Sequence, residues 1–175
     1  MNAPGRLSEL SKQALDAARE RRMSIVTAES CTAGRLAALL SEAPGAAEYL
    51  HGGFVTYTKL NKTKSLGVSA ALLKYKGAVC CDVALAMAEG ALARSPADIA
   101  VSITGVAGPD PDEDGNPVGL VCIAVARHDH QATYAERRYG DLGRDAICER
   151  AMGDALTELI GALRAAAGRE GARNE

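Results

Sequence analysis

Apolar residues recur at helical spacing near the start of the chain, where Leu7, Leu10, Ala14, Leu15 and Ala18 line one side of residues 6–21. The pattern then tightens into SIVTA at 24–28, a short buried strand. ESCTAGRLAALLSEAPG follows, with small polar residues first and then an apolar helical run that ends near Pro44-Gly45. Ser30 or Thr32 would suit the N-cap of that helix. LHGGFVTYT at 50–58 predicts a second strand, and short helices are expected over 59–66 and 69–75. DVALAMAEGALAR at 82–94 predicts a helix with Asp82 as a cap. DIAVSIT at 98–104, VGLVCIAVAR at 118–127 and residues 132–139 predict three more strands. HDHQ at 128–131 is expected to make a hairpin turn between the last two. The final helix is expected from about Arg144 to Ala167, with Ile147, Ala151, Ala155, Leu156, Leu159 and Leu163 on its apolar face.

Strands that alternate with helices imply a layered α/β fold. The continuous apolar runs at 98–104 and 120–126 imply a sheet covered on both faces, and the hairpin implies at least one antiparallel strand. No repeat or long linker divides the 175 residues, so a single domain spanning 1–175 is expected, with an ordered core over about 6–167 and a fraying tail at 168–175.

Composition narrows the function. With 20 Lys plus Arg against 22 Asp plus Glu, the net charge is −2, which argues against a broad nucleic-acid footprint. Aromatic residues are 3%, too few for a base-stacking platform. No apolar run reaches about 18 residues, so no membrane span is expected. The N-terminus lacks the apolar core of a signal peptide. The five cysteines, Cys31, Cys80, Cys81, Cys122 and Cys148, match no zinc spacing, and free thiols in a cytoplasmic protein are expected.

Four segments have chemical potential. TAESCTAG at 27–34 turns from strand to helix, so Ser30 is either a capping residue or a nucleophile beside the unpaired amides of a first helical turn. Neither a G-x-S-x-G nor an S-x-x-K pattern is present. Cys31 is a rival nucleophile, since a helix start lowers a thiol pKa, but a packing role is preferred. FVTYTKLNKTK at 54–64 carries Tyr57, Lys59, Lys62 and Lys64. Either the lysines form a solvated face, or one is partly buried near a serine with its pKa lowered toward that of a general base. Tyr57 would then relay a proton or hold that lysine. SITGVAGPD at 102–110 is a Gly-rich turn after a buried strand. Gly105 and Gly108 either shape the turn or let the backbone approach a substrate. Asp110, Asp112 and Asp114 mimic the start of a calcium loop, but Val121 stands at the twelfth position, so a solvated acidic loop is the better account.

The ordered set TAESCTAG, FVTYTKLNK, GAV, TGVAGPD and PVG resembles the CinA C-terminal family, whose stand-alone members are nicotinamide-nucleotide amidases of the PncC type. The resemblance covers about residues 7–165. It implies a three-layer α/β/α sandwich with a mixed, mostly parallel five-stranded sheet. It also implies hydrolysis of nicotinamide mononucleotide to nicotinate mononucleotide and ammonia, a salvage step needing no metal or cofactor. By motif position, Ser30 is the nucleophile, Lys62 the general base, and Tyr57 and Thr104 assist or bind substrate. Main-chain amides of Cys31, Thr32, Ala33 and Gly34 are assigned to an oxyanion hole. Arg144 would meet a phosphate or pair with a carboxylate. The implied partners are a small nucleotide substrate and further copies of the chain in a homo-oligomer, with no nucleic acid or membrane.

Five positions depart from the family pattern: Ala33, Lys59, Cys80, Cys81 and Cys148. Ala33 replaces a glycine, and its methyl is expected to narrow the oxyanion region. Lys59 adds a charge that either lowers the Lys62 pKa or points to solvent. The departures motivate a second reading, a weakly catalytic nucleotide-binding or interaction module, and a third, an amidase for another small amide.

Overall fold

A computed structural model describes residues 3–128 and 130–165. Its elements, in chain order, are α1 (Ala3–Arg21), β1 (Ile25–Glu29), α2 (Arg35–Ser41), α3 (Ala46–Tyr49), β2 (Leu50–Val55), α4 (Lys59–Asn61), a π-helical turn (Lys62–Leu66), α5 (Ala70–Lys76), α6 (Cys81–Ala93), β3 (Ile99–Gly105), β4 (Leu120–Arg127), β5 (Thr133–Arg138) and α7 (Arg144–Ala165). The expected tail at 168–175, and the last two residues expected in the final helix, lie outside the described residues.

The five strands form one sheet in the order β2-β1-β3-β4-β5. β1 pairs in parallel with β2 and β3, while β4 is antiparallel to both β3 and β5. Four strands therefore run one way and β4 the other, so the sheet is mixed and mostly parallel in strand direction. β1 is buried along its whole length, and β3 and β4 are buried except at their last residues. The edge strands β2 and β5 alternate between more and less exposed positions. The difference reflects helices on both faces of the centre and fewer neighbours at the edges.

One apolar layer joins α1, α2 and α7 to Ile25, Ile99, Val101, Ile103, Val121 and Ile123. The other joins α6 and the π-helical turn to Val26, Ala28, Ala100, Cys122 and Ala124. Successive strand residues thus feed opposite layers, the period of two made visible. The expected three-layer sandwich is present. Among the described residues, no helix is long and apolar enough to cross a membrane.

The helix starts differ from expectation. α2 begins after Gly34, whose φ of 92° is left-handed, and neither Ser30 nor Thr32 caps it. α6 begins after Cys80, and Asp82 lies in its first turn, paired with Lys76. The short helix α3 was not apparent from the apolar pattern. Within the segment 59–66, α4 passes into a π-helical turn that closes at Gly67.

Candidate active site

Because β1, β2 and β3 are parallel, their carboxyl ends meet at one rim of the sheet, where open α/β folds bind ligands. Ser30 follows β1, Thr56 and Tyr57 follow β2, and Thr104 and Gly105 end β3. These segments and the 108–114 loop enclose a cleft of about 410 Å³.

Lys62 occupies the floor. It is fully buried, and its Nζ lies 2.8 Å from Ser30 Oγ and donates to the Thr56 carbonyl at 2.8 Å. Among the described residues, no carboxylate pairs with it. Desolvation lowers its pKa from the usual 10.5 to about 8, with a smaller opposing effect from Cys31. The π-helical turn places this lysine inward, and Gly90 of α6 makes room for the turn. A Cβ at Gly90 would collide with the Leu66 carbonyl.

The serine turn is held by Glu29, a residue to which sequence reasoning assigned no role. Its carboxylate is buried and accepts five hydrogen bonds. The Thr27 hydroxyl and the Ala37 amide donate to Oε1; the Thr32 hydroxyl and the Gly34 and Leu36 amides donate to Oε2. Glu29 thus does from the strand what a cap usually does from the helix start. Main-chain bonds Ser30 N–H to Ile103 O and Thr56 N–H to Glu29 O tie the turn to β3 and to the end of β2.

This network narrows the expected oxyanion hole. The Ala33 amide donates to Ser30 O and the Gly34 amide to Glu29, so both are committed within the turn. The amides of Cys31 and Thr32 remain available among the described residues. Ala33 adopts a left-handed φ of 53°, is exposed and does not line the cleft, so its methyl leaves the reacting region open. Thr32 and Gly34 also lie outside the cleft lining.

The remaining candidates divide clearly. Burial raises the Cys31 thiol pKa to about 12, the opposite of activation by a helix start. Tyr57 does not hold Lys62; the Thr56 carbonyl does. Tyr57 is instead exposed at the rim, where its hydroxyl accepts a bond from Arg144 Nη2 at 3.1 Å. Arg144 Nη1 donates to the Gly108 carbonyl at 3.0 Å, and among the described residues the arginine pairs with no carboxylate. Thr104 is buried and donates to the Ala78 carbonyl at 2.8 Å, bracing the cleft wall. Gly105 and Gly108 line the cleft. Lys59 turns away from Lys62 and bridges Glu113 and Asp114 at 2.9 and 2.7 Å, and those bonds raise its pKa. The Asp112 carboxylate binds the amides of Asp114 and Asn116, so the acidic loop is organised internally.

Residues 7–163 match the CinA C-terminal domain. The chain belongs to that family. A CinA-like protein of Mycolicibacterium vanbaalenii is 55% identical over 103 residues, covering 59% of this chain and 24% of that protein. A CinA-like protein of Synechococcus sp. is 42% identical over 151 residues, covering 86% of this chain and 36% of that protein. The chain therefore spans little more than a third, or less, of these curated relatives. Among solved structures, the competence/damage inducible protein CihA of Agrobacterium tumefaciens superposes with a TM-score of 0.88 at 40% identity, covering 94% of this chain and 99% of that one. A CinA superfamily protein of Escherichia coli gives 0.85 at 33% identity, covering 89% and 90%.

Proposed function

We propose that this CinA-family chain is a serine/lysine amidohydrolase that converts nicotinamide mononucleotide to nicotinate mononucleotide and ammonia. The observation that carries the reading is the buried Lys62 amine, 2.8 Å from Ser30 Oγ and paired with no carboxylate among the described residues. Neutral Lys62 takes the Ser30 proton as Oγ attacks the carboxamide carbon. The amide of Cys31, which lines the cleft, receives the developing oxyanion. The lysine then returns the proton to the departing amine, which leaves as ammonia, and an acyl-enzyme remains. Water activated by Lys62 releases the acid.

The cleft offers both charges that such a substrate needs. Arg144 supplies a cation at the rim for a phosphate, and the acidic 110–114 loop faces the cleft where a pyridinium ring would be favoured. Arg144→Ala is expected to raise the KM for the nucleotide while sparing kcat. The reading also includes a cytoplasmic setting and self-association. All five cysteines are unpaired, which suits a reducing compartment. Leu60, Tyr75 and Tyr134 are exposed apolar groups available for a subunit contact, which light scattering would test.

The test is ammonia release from nicotinamide mononucleotide in the presence of chelator, with wild type, Ser30→Ala and Lys62→Met side by side. Release by wild type alone supports the proposal. Unchanged turnover by folded Ser30→Ala would refute the assignment. Binding without turnover by wild type would favour the nucleotide-binding module, and turnover of other amides alone would redefine the substrate.

A further inference from the structure

The five cysteines carry no metal-binding spacing along the chain, yet the fold gathers two of them beside a carboxylate. Cys81 opens α6, Cys122 lies on β4, one strand in from the sheet edge, and Glu136 lies on the edge strand β5. Cys122 is directly opposite Glu136 in one strand pair and Thr104 in the other, so these side chains share the face covered by α6. The two sulfurs are 3.6 Å apart, and a carboxylate oxygen of Glu136 and both sulfurs lie within 4.8 Å of one another. Among the described residues, no other group of three histidine, cysteine or acidic side chains is this close. A tetrahedral zinc ion with bonds of about 2.3 Å to sulfur holds two thiolates about 3.8 Å apart, close to the spacing already present.

We infer that Cys81, Cys122 and Glu136 form a binding site for a thiophilic divalent cation of the zinc type, separate from the Ser30–Lys62 centre. The donor set is two sulfurs and one oxygen, with water completing the tetrahedron. Arg138 bonds only Glu136 Oε1, which leaves Oε2 for the ion. Binding is balanced by loss of the two thiol protons: one divalent cation enters, two sulfur–metal bonds form, and two protons leave. No oxidant is required. The ion would clamp the start of α6 to β4 and β5. It would stand beside the strand position of Thr104, whose hydroxyl braces the Ala78 carbonyl in the cleft wall.

The test uses the purified full chain, stripped of metal and kept reduced with a phosphine, then titrated with cobalt(II). A near-ultraviolet thiolate-to-cobalt charge-transfer band that saturates at one ion per chain, and is abolished by added zinc, is the expected result. Cys81 is half-exposed at a helix start, so Cys81→Ser should fold, as circular dichroism would check, yet lose most of the band. Glu136→Gln should keep the band but weaken binding by about tenfold or more. Cys148→Ser should bind as wild type does. Absence of the band in reduced wild type would overturn the site, as would its full retention in Cys81→Ser or its loss in Cys148→Ser.

Discussion

Replacing Lys62 with methionine should make the protein more stable against denaturant at neutral pH than at alkaline pH, relative to wild type. The amine is fully buried, and desolvation depresses its pKa from 10.5 to about 8. A shift of that size corresponds to about 3 kcal/mol at roughly 1.4 kcal/mol per unit. Below pH 8 the folded wild type bears this whole cost, because Lys62 is charged in both states. Between about 8 and 10.5 the unfolded chain holds the proton and the folded chain does not, so wild-type stability rises with pH across that window. Methionine removes the effect at every pH. It also leaves the Thr56 carbonyl and the Ser30 hydroxyl without their lysine partner, at a cost of about 1–3 kcal/mol that does not change with pH. The absolute advantage of methionine at pH 7 is therefore small, but its pH dependence is not. Urea unfolding of both proteins at pH 7 and pH 10 should show the methionine variant losing about 2 kcal/mol relative to wild type over that range. Other titrating groups cancel in the difference. A gap between the two proteins that stays constant with pH would mean that Lys62 keeps an ordinary pKa in the fold, and the argument for a neutral base would fail.

The same pKa sets the rate profile of the proposed amidase. Its kcat/KM should rise with pH through about 8 as Lys62 loses its proton, and a flat profile from pH 6 to 9 would contradict the assignment. Glu29→Gln replaces an acceptor of five hydrogen bonds with a group that can turn only one oxygen toward them, so a loss of about 3 kcal/mol by urea unfolding is expected. A loss under about 1 kcal/mol would show that the turn does not depend on this carboxylate. Gly90→Ala would press on the Leu66 carbonyl at the end of the turn that carries Lys62. It should cost about 1–3 kcal/mol and reduce kcat more than it changes KM. A wild-type melting temperature would show that the turn can yield.

The layered fold was legible because burial imposes simple patterns. Ile25–Glu29, Ile99–Gly105 and Leu120–Arg127 are apolar runs of strand length, and each is a central strand. The apolar face read along the last helix is buried at all six named positions. Ser30 and Lys62 were singled out from motif order, and the fold places them in hydrogen-bond contact. Glu29 escaped notice because capping rules look within one turn of the helix start. This carboxylate reaches amides five, seven and eight residues ahead from the end of a strand. An acidic residue ending an otherwise apolar strand was the available signal. Of the two roles offered for Tyr57, holding Lys62 falls to the Thr56 carbonyl instead, because chain proximity does not report direction: the tyrosine faces the rim while the lysine turns inward. The Cys81, Cys122 and Glu136 cluster was invisible for a related reason. Neighbours across strands are set by register, which spacing along the chain does not encode.

The unusual cap on α2 separates two duties that most strand-to-helix turns combine. A serine at such a turn ordinarily spends its hydroxyl on the helix, so changing it alters both anchorage and reactivity. Here the anchorage resides in Glu29, and the hydroxyl of Ser30 is left to Lys62. Under the proposed mechanism, threonine or cysteine could be installed at position 30 and compared as nucleophiles while Glu29 keeps its hold on the helix amides.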